Sequence, residues 1–125
     1  MIKQYFITLN PHHIDLNEYE LKKDFKTALL KYYRRILGRH FNKRKDEQYK
    51  LYVFMEKGKS NQSHLHIMAT VDDMEVDNFY YSISSIMKRK YLTLTSDIRE
   101  IYEESNLLSY LTKEQSLVFS NEDLY

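Results

Sequence analysis

The chain has 125 residues, a length that suits a single domain. Apolar residues make up 42% of it, enough for a packed core, and the absence of cysteine excludes disulfides, thiolate metal sites and thiol nucleophiles. The net charge of +1 hides an asymmetry. Residues 16–50 hold eleven Lys or Arg against five Asp or Glu, whereas residues 72–77 hold four acids and no base.

The glycine content and the distribution of apolar residues exclude several classes of protein. Glycine occurs only at Gly38 and Gly58, so the chain has no Walker loop and no dinucleotide fingerprint. No apolar run approaches the length of a membrane span, and the N-terminus lacks signal-peptide architecture, so we expect a protein of the cytoplasm of a cell or host cell. The basic segment, with tyrosines interleaved, is typical of a nucleic-acid-binding surface or of a solvated helix face.

The first half of the chain predicts a strand, a helix and a hairpin. Residues 2–9 are rich in β-branched and aromatic side chains and end at Asn10-Pro11, which indicates a strand. A helix is expected from about Asn17 to Arg39, because apolar residues recur there at three- and four-residue spacing. Residues 42–48 form a polar, basic connection. Strands are expected at residues 49–56 and 64–71, joined by a short polar loop.

The second half predicts another amphipathic helix, ending near Lys90. A strand is placed at Leu92–Thr95, with room for a second strand before residue 101. A third helix is expected from Glu103 to about Ser116, and a loose tail over residues 119–125. The resulting order, β-α-β-β-α-β-α, predicts an α+β fold, ferredoxin- or RRM-like, with helices packed on a central antiparallel sheet in one domain of residues 1–118.

The most informative short pattern is His64-Leu65-His66. Because side chains alternate along a strand, the two imidazoles lie on one face, where they can chelate a divalent cation or serve as hydrogen-bonded structural histidines. If the hairpin folds about Ser60, Glu56 stands opposite His64, with Cβ atoms about 5 Å apart. A carboxylate beside two imidazoles suits Mg²⁺ or Mn²⁺, and its alternative is a Glu–His ion pair.

The predicted third helix carries four further polar candidates. Tyr110 lies on one flank of the apolar face, with Asn106 and Lys113 further round the same side. Glu114 projects between Tyr110 and the apolar face, where a carboxylate requires an ion-pair partner or a cation. It is therefore a candidate either for an ion pair with a nearby Lys or Arg or for an additional or alternative metal ligand. Considered alone, Tyr110 is better explained as a half-buried aromatic than as a nucleophile.

Taken in order, these patterns resemble the three motifs of the HUH endonucleases. The motifs are Phe6-Ile7-Thr8-Leu9-Asn10, His64-Leu65-His66 and Tyr110-Leu111-Thr112-Lys113. Glu56 stands eight residues before the first histidine, and Tyr110 stands forty-four after the second. The likeness spans residues 2–115 and is nearest to the rolling-circle replication initiators, or Rep proteins, of small viruses and plasmids.

This resemblance implies a metal-dependent enzyme that nicks and rejoins single-stranded DNA. In that family the histidine pair and a carboxylate bind Mg²⁺ or Mn²⁺, which polarises the scissile phosphate. A tyrosine attacks it, leaving a 5′-phosphotyrosine link and a free 3′-hydroxyl. Carried onto this chain, Tyr110 is the nucleophile, His64, His66 and Glu56 are the ligands, and Lys113 assists at the phosphate or the metal.

The resemblance also implies partners and leaves alternatives. The substrate is origin DNA, presented at a stem-loop, and the expected assembly is a monomer or a weak homodimer. The larger Rep proteins of eukaryotic single-stranded DNA viruses carry a helicase domain after the nuclease, and these 125 residues do not include one. Either the sequence is an isolated nuclease domain, or the expected partners include a host helicase with other host replication proteins. Glu114 occupies the position of a metal ligand in HUH transposases. A single-tyrosine transposase is therefore one alternative. A non-catalytic nucleic-acid-binding module is another, because a β-α-β-β-α-β sheet with exposed tyrosines could stack bases.

Charge and resemblance together suggest which residues contact DNA. Asn10 is the last residue of the first motif and Asn106 precedes Tyr110 by four residues, and both are candidates. The basic side chains at the end of the first helix and in the connection after it are the other candidates; they are Arg34, Arg35, Arg39, Lys43, Arg44 and Lys45.

Overall fold

The computed structural model describes residues 1–13, 15–57, 62–102 and 116–120. Within them the elements follow in the order β1 (Ile2–Asn10), α1 (Glu18–Leu37), β2 (Lys50–Lys57), β3 (Ser63–Asp72), α2 (Val76–Lys90), β4 (Thr95–Glu100) and β5 (Ser116–Ser120). Two single-turn 3-10 helices, Phe41–Lys43 and Lys45–Glu47, lie between α1 and β2.

Helix α1 begins and ends at residues suited to those positions. The side chain of Asn17 accepts hydrogen bonds from the backbone N–H groups of Tyr19 and Glu20, two donors that have no partner within the helix. Gly38 ends the helix with φ +91° and ψ −173°, a backbone conformation taken almost only by glycine. The predicted boundaries were therefore right to within two residues.

The described strands form one antiparallel sheet in the order β4-β1-β3-β2-β5. Strands β1 and β2 run in the same direction with β3 between them, which is the split β-α-β arrangement. This confirms the predicted α+β class, with helices α1 and α2 packed on a central antiparallel sheet.

One face of the sheet holds the main core. Phe25, Leu29 and Tyr33 of α1, with Phe79 and Ile83 of α2, are buried against the odd-numbered side chains of the three central strands. Those strand residues include Ile7, Leu9, Val53, Leu65 and Ile67. The hydroxyls of two buried tyrosines, Tyr32 and Tyr49, are hydrogen-bonded at 2.8 Å. The periodicity of both helices therefore predicted their buried faces.

The opposite face has a smaller apolar cluster. Phe54 and Met68 are buried there, with Phe6, Tyr52 and Ile101 half-buried around them. These side chains belong to the same alternating set as His64, His66 and Glu56, because β2 and β3 pair in register. This face is called the site face below.

The strand predicted at Leu92–Thr95 is wrong in position. Tyr91 to Leu94 form a turn, in which the Leu94 N–H donates to the Tyr91 carbonyl, and Leu92 is exposed. Tyr91 and Leu94 are buried, so their apolar character serves to anchor the turn. The strand that follows starts at Thr95 and is mostly polar, as is common for an edge strand, and among the described strands β4 pairs only with β1.

The predicted end of the chain also differs. Ser116, expected in a helix, begins β5, and residues 119 and 120, expected in a loose tail, belong to the same strand. Strand β5 pairs with β2 across an irregular register, which brings Ser116 beside Met55. The rest of the predicted third helix, residues 103–115, and residues 121–125 of the tail lie outside the described residues.

Neither described helix combines the length and the apolar character needed to cross a membrane.

Candidate metal centre

The hairpin register brings three side chains with metal-ligand chemistry together. Glu56 is paired with His64, and Phe54 with His66, as the fold about Ser60 predicted. Since alternate residues share a face, Glu56, His64 and His66 all lie on the site face, away from α1 and α2.

The three side chains converge on one atom. Oε2 of Glu56 lies 2.9 Å from Nε2 of His64 and 2.7 Å from Nε2 of His66. The two imidazole rings are nearly perpendicular, at 82°, with their centroids 4.8 Å apart. The side chain of His66 is 11% exposed, that of His64 15% and that of Glu56 35%, so the cluster meets solvent mainly at the carboxylate.

Strand β1, which pairs with β3 on the side opposite to β2, also contacts His66. Oγ1 of Thr8 lies 3.1 Å from Nδ1 of His66, and the ring of Phe6 stacks on the imidazole at 5.0 Å and 12°. The register explains both contacts, because Thr8 is paired with His66 and Phe6 with Met68. These contacts fix the ring plane and direct Nε2 towards Glu56.

The Thr8 hydroxyl suits both protonation patterns that His66 can take. Without a cation, Nε2–H donates to the ionised carboxylate, and Nδ1 accepts from the hydroxyl. With a cation on Nε2, the proton must be on Nδ1, which then donates to the Thr8 oxygen. A hydroxyl can accept or donate by rotating, so Thr8 satisfies His66 in either state.

The protonation states favour metal binding at neutral pH. Burial by itself raises the pKa of Glu56, but the hydrogen bonds with His66 and His64 outweigh it and hold the pKa below its ordinary value. Burial lowers the pKa of His66, and the hydrogen bond with Glu56 only partly opposes this. The cluster therefore presents a carboxylate and a neutral imidazole, the forms that bind metal without first losing a proton.

The spacing of the three groups also fits a cation. Adjacent ligand atoms about 2.1 Å from an octahedral ion are about 3 Å apart, close to the separations between Glu56 and the two histidines. All three candidate ligand atoms lie within 4.8 Å of one another. The three side chains can therefore hold a metal ion.

Asn10 lies on the site face, two residues beyond Thr8 in β1. Its side-chain oxygen accepts the backbone N–H of His12, which has φ +59°. Nε2 of His12 lies 2.7 Å from Oγ1 of Thr95, the first residue of β4. Asn10 thus shapes the turn at this end of the sheet, and its expected contact with DNA stays a prediction.

The structure does not bring the predicted basic DNA contacts to the cluster. Arg34 and Arg35 lie in the last turn of α1, on the opposite side of the sheet. The connection that follows leads to Lys50, six residues before Glu56 and so about 20 Å away along β2. The basic candidates are all exposed; they are Arg34, Arg35, Arg39, Lys43, Arg44 and Lys45.

Two of these arginines have local partners. Arg35 donates to the hydroxyl of Ser82 on α2, and its guanidinium lies over the Tyr32 ring. Arg44 pairs with Glu47 and donates to the carbonyl of Leu37 at 2.8 Å. These contacts tie α1 to α2 and close the connection after α1.

The remaining sequence candidates lie outside the described residues; they are Asn106, Tyr110, Lys113 and Glu114. For Tyr110, Lys113 and Glu114 the nearest described residue in the sequence after them is Ser116, which is paired with Met55, the neighbour of Glu56.

Sequence reasoning gave no role to Thr8 or Phe6, although both belong to the first motif. Their contacts with His66 depend on the pairing of β1 with β3. The sequence indicates only that Thr8 and Phe6 lie in a predicted strand. It does not show that this strand pairs with the one that carries the two histidines.

Comparison of the chain with protein-family models, curated proteins and solved structures finds no match. A functional assignment therefore rests on the chemistry of the site.

Proposed function

We propose that the protein is a metal-dependent endonuclease that nicks and rejoins single-stranded DNA through a 5′-phosphotyrosine intermediate at Tyr110. The observation that carries this proposal is the convergence of His64 and His66 on one oxygen of Glu56. The substrate we propose is origin DNA presented at a stem-loop, as for a rolling-circle replication initiator.

The ligand set favours a hard divalent cation. One carboxylate oxygen and two imidazole nitrogens suit Mn²⁺ or Mg²⁺, and the absence of cysteine excludes a thiolate ligand. When bound, the cation would stabilise the negative charge that develops on the oxygens of the scissile phosphate. Glu56 contributes the anionic ligand, and Thr8 holds His66 in the orientation that presents Nε2.

The position of β5 is consistent with Tyr110 as the nucleophile. Ser116 is paired with Met55, next to Glu56, and Tyr110 precedes Ser116 by six residues. Six residues span at most about 22 Å when fully extended, so the length of chain between Tyr110 and Ser116 does not prevent the tyrosine from reaching the cluster. Lys113 and Glu114 precede Ser116 by three and two residues.

The chemistry is a transesterification. The phenol oxygen of Tyr110 forms a bond to the phosphorus and the bond to the 3′ oxygen breaks, so the phenol proton is released and the leaving oxygen becomes a 3′-hydroxyl. A neighbouring cation such as Lys113 favours the phenolate form of a weakly acidic phenol. The reaction exchanges one phosphate ester for another, so the reverse step rejoins the strand without ATP.

The direct test is covalent capture. The protein is incubated with Mn²⁺ and a pooled set of labelled stem-loop oligonucleotides, then run on a denaturing gel. We expect a protein–DNA band that EDTA, His66→Gln and Tyr110→Phe each abolish. Tyr102→Phe is the matched control, because Tyr102 is an exposed tyrosine whose hydroxyl donates to Glu100, and it should retain the band.

Two results would overturn parts of this proposal. A band that survives Tyr110→Phe would keep the chemistry and exclude this tyrosine. Salt-sensitive binding without a band for any oligonucleotide would exclude the nuclease.

That second result would support a non-catalytic nucleic-acid-binding module. The antiparallel sheet with helices on one face and half-buried aromatics, Phe6 and Tyr52, on the other is the arrangement that RNA-recognition domains use to stack bases. Such a module has no chemical use for the Glu56 cluster, so we rank it second.

A further inference from the structure

A cleft lies between the outer surfaces of the two helices, on the side of the sheet away from Glu56. Its volume is about 290 Å³. Helix α1 contributes Asp24, Thr27 and Lys31, and the end of α2 contributes Ile86, Met87, Arg89 and Lys90, with Tyr91 beyond it. The cleft shares no residue with the metal cluster.

The cleft carries an excess of positive charge. Its one carboxylate, Asp24, is already engaged, because it accepts the hydroxyl of Tyr91 and pairs with Lys90 at 2.8 Å. Lys31 and Arg89 are exposed, and neither has an ion-pair partner among the described residues. An anion in the cleft would therefore meet two cations that no described residue neutralises.

The dipole of α2 accounts for only part of the positive charge in the cleft. Basic side chains in the last turn of α2 are expected from the negative end of its dipole, which explains Arg89 and Lys90. Lys31 comes from the middle part of α1, well before the end of that helix at Leu37, and still adds its charge to the same cleft.

Two further grooves extend the positive surface along α1. One is lined by Lys22, Lys23 and Lys26, and the other by Lys31 and Arg34, with Thr27 shared by both. From Lys22 to Arg34 the helix rises about 18 Å, far more than one phosphate group spans. Asp24 is the only acid in this stretch. The shape and the charge fit a chain of phosphates better than a single small anion.

We propose that the α1–α2 cleft and the adjoining face of α1 bind the phosphodiester backbone of DNA at a second surface, separate from the metal cluster. The choice of DNA as the ligand rests on the proposed function, but the observations that define this surface involve neither Tyr110 nor the metal cluster. DNA bound at this surface lies on the opposite side of the sheet from the single-stranded DNA that we propose binds at Glu56. The surface therefore contacts a flanking part of the same DNA molecule.

The experiment compares charge-neutralised variants by fluorescence anisotropy in EDTA. The probes are a labelled duplex and a labelled single strand of the same sequence, each titrated over a series of salt concentrations. We expect Lys31→Gln and Arg89→Gln each to reduce the slope of log affinity against log salt by the effect of one lost phosphate contact, about 0.9 for the duplex or about 0.7 for the single strand. The double variant should reduce it by about twice as much. The probe that loses more affinity identifies the form of DNA that is bound.

Lys88→Gln is the matched control. Lys88 is exposed in the same turn of α2 but does not line the cleft, so its loss should leave the slope within error of the unmodified protein. Equal slopes for Lys31→Gln, Arg89→Gln and Lys88→Gln would overturn the proposal. A different result is that inorganic phosphate stabilises the unmodified protein but not the double variant, while both bind DNA equally. That result would assign the cleft to a small phosphate and would also overturn the proposal.

The outcome is separable from that of the nuclease proposal. The double variant should bind Mn²⁺ as tightly as the unmodified protein, because the substituted side chains lie on the other side of the sheet. Conversely, Tyr110→Phe should retain the salt-dependent binding whether or not Tyr110 is the nucleophile.

Discussion

The hydroxyl of Thr8 lies 3.1 Å from Nδ1 of His66, and this contact joins β1 to the candidate metal centre. It leaves Nε2 of His66 facing Glu56 at 2.7 Å. The first motif of the chain thus contributes a side chain that orients a ligand, in addition to forming a strand of the sheet.

Thr8→Val tests this orientation, because valine keeps the shape and removes the hydroxyl. We expect Mn²⁺ affinity to fall about tenfold or more, as is usual when the group that orients a ligating histidine is lost. Thr8→Ser retains a hydroxyl and should bind Mn²⁺ nearly as tightly as the unmodified protein. Isothermal titration calorimetry measures both, and equal affinity for Thr8→Val and the unmodified protein would show that Thr8 does not position His66.

The metal-free protein should lose stability in two steps as the pH falls. Burial lowers the pKa of His66 below 6.5 in the folded state, so between 6.5 and that lower pKa only the unfolded chain takes up a proton here. The pKa of Glu56 is also lowered, from 4.5, because the hydrogen bonds from His66 and His64 outweigh its burial. Stability from each group is present above its unfolded pKa and is lost as the pH falls through its folded pKa.

Thermal unfolding followed by circular dichroism in EDTA measures this dependence. His66→Gln should remove the step that begins below pH 6.5, whereas His40→Gln, at an exposed position, should leave it in place. An unchanged slope in His66→Gln would mean that His66 is not held neutral by the fold.

A buried hydrogen bond in the main core, between the hydroxyls of Tyr32 and Tyr49, gives a prediction for the free energy of unfolding. Tyr49→Phe removes the hydroxyl that bonds to Tyr32 and leaves the Tyr32 hydroxyl buried without that partner. The cost should be about 1–3 kcal/mol in the free energy of unfolding. Urea denaturation measures it, with Tyr102→Phe as the control at an exposed tyrosine, where the change should stay within about 0.5 kcal/mol. Similar values for the two variants would contradict the structural role of this bond.

Local sequence patterns predicted the parts of the site that local structure determines. A short hairpin loop sets the register between β2 and β3, so the meeting of Glu56 with His64 followed from counting residues. The helix faces followed in the same way from three- and four-residue spacing.

The non-local parts could not be predicted in this way. The contact of Thr8 with His66 requires β1 to pair with β3, and α1 and β2 intervene between these strands. The apolar residues Leu92 and Leu94 suggested a strand, but they belong to a turn, and the polar edge strand β4 follows them. Strand β5 has only five residues, too few for periodicity to separate it from the last turn of a helix.

The central claim is that Glu56, His64 and His66 form a metal site, and calorimetric titration of Mn²⁺ tests it most directly. We expect one ion per chain for the unmodified protein and for His40→Gln. We expect no measurable binding for His66→Gln and weakened binding for Glu56→Gln, with circular dichroism confirming that both variants are folded. Binding of Mn²⁺ to folded His66→Gln with unchanged affinity, or no binding to the unmodified protein, would contradict the claim.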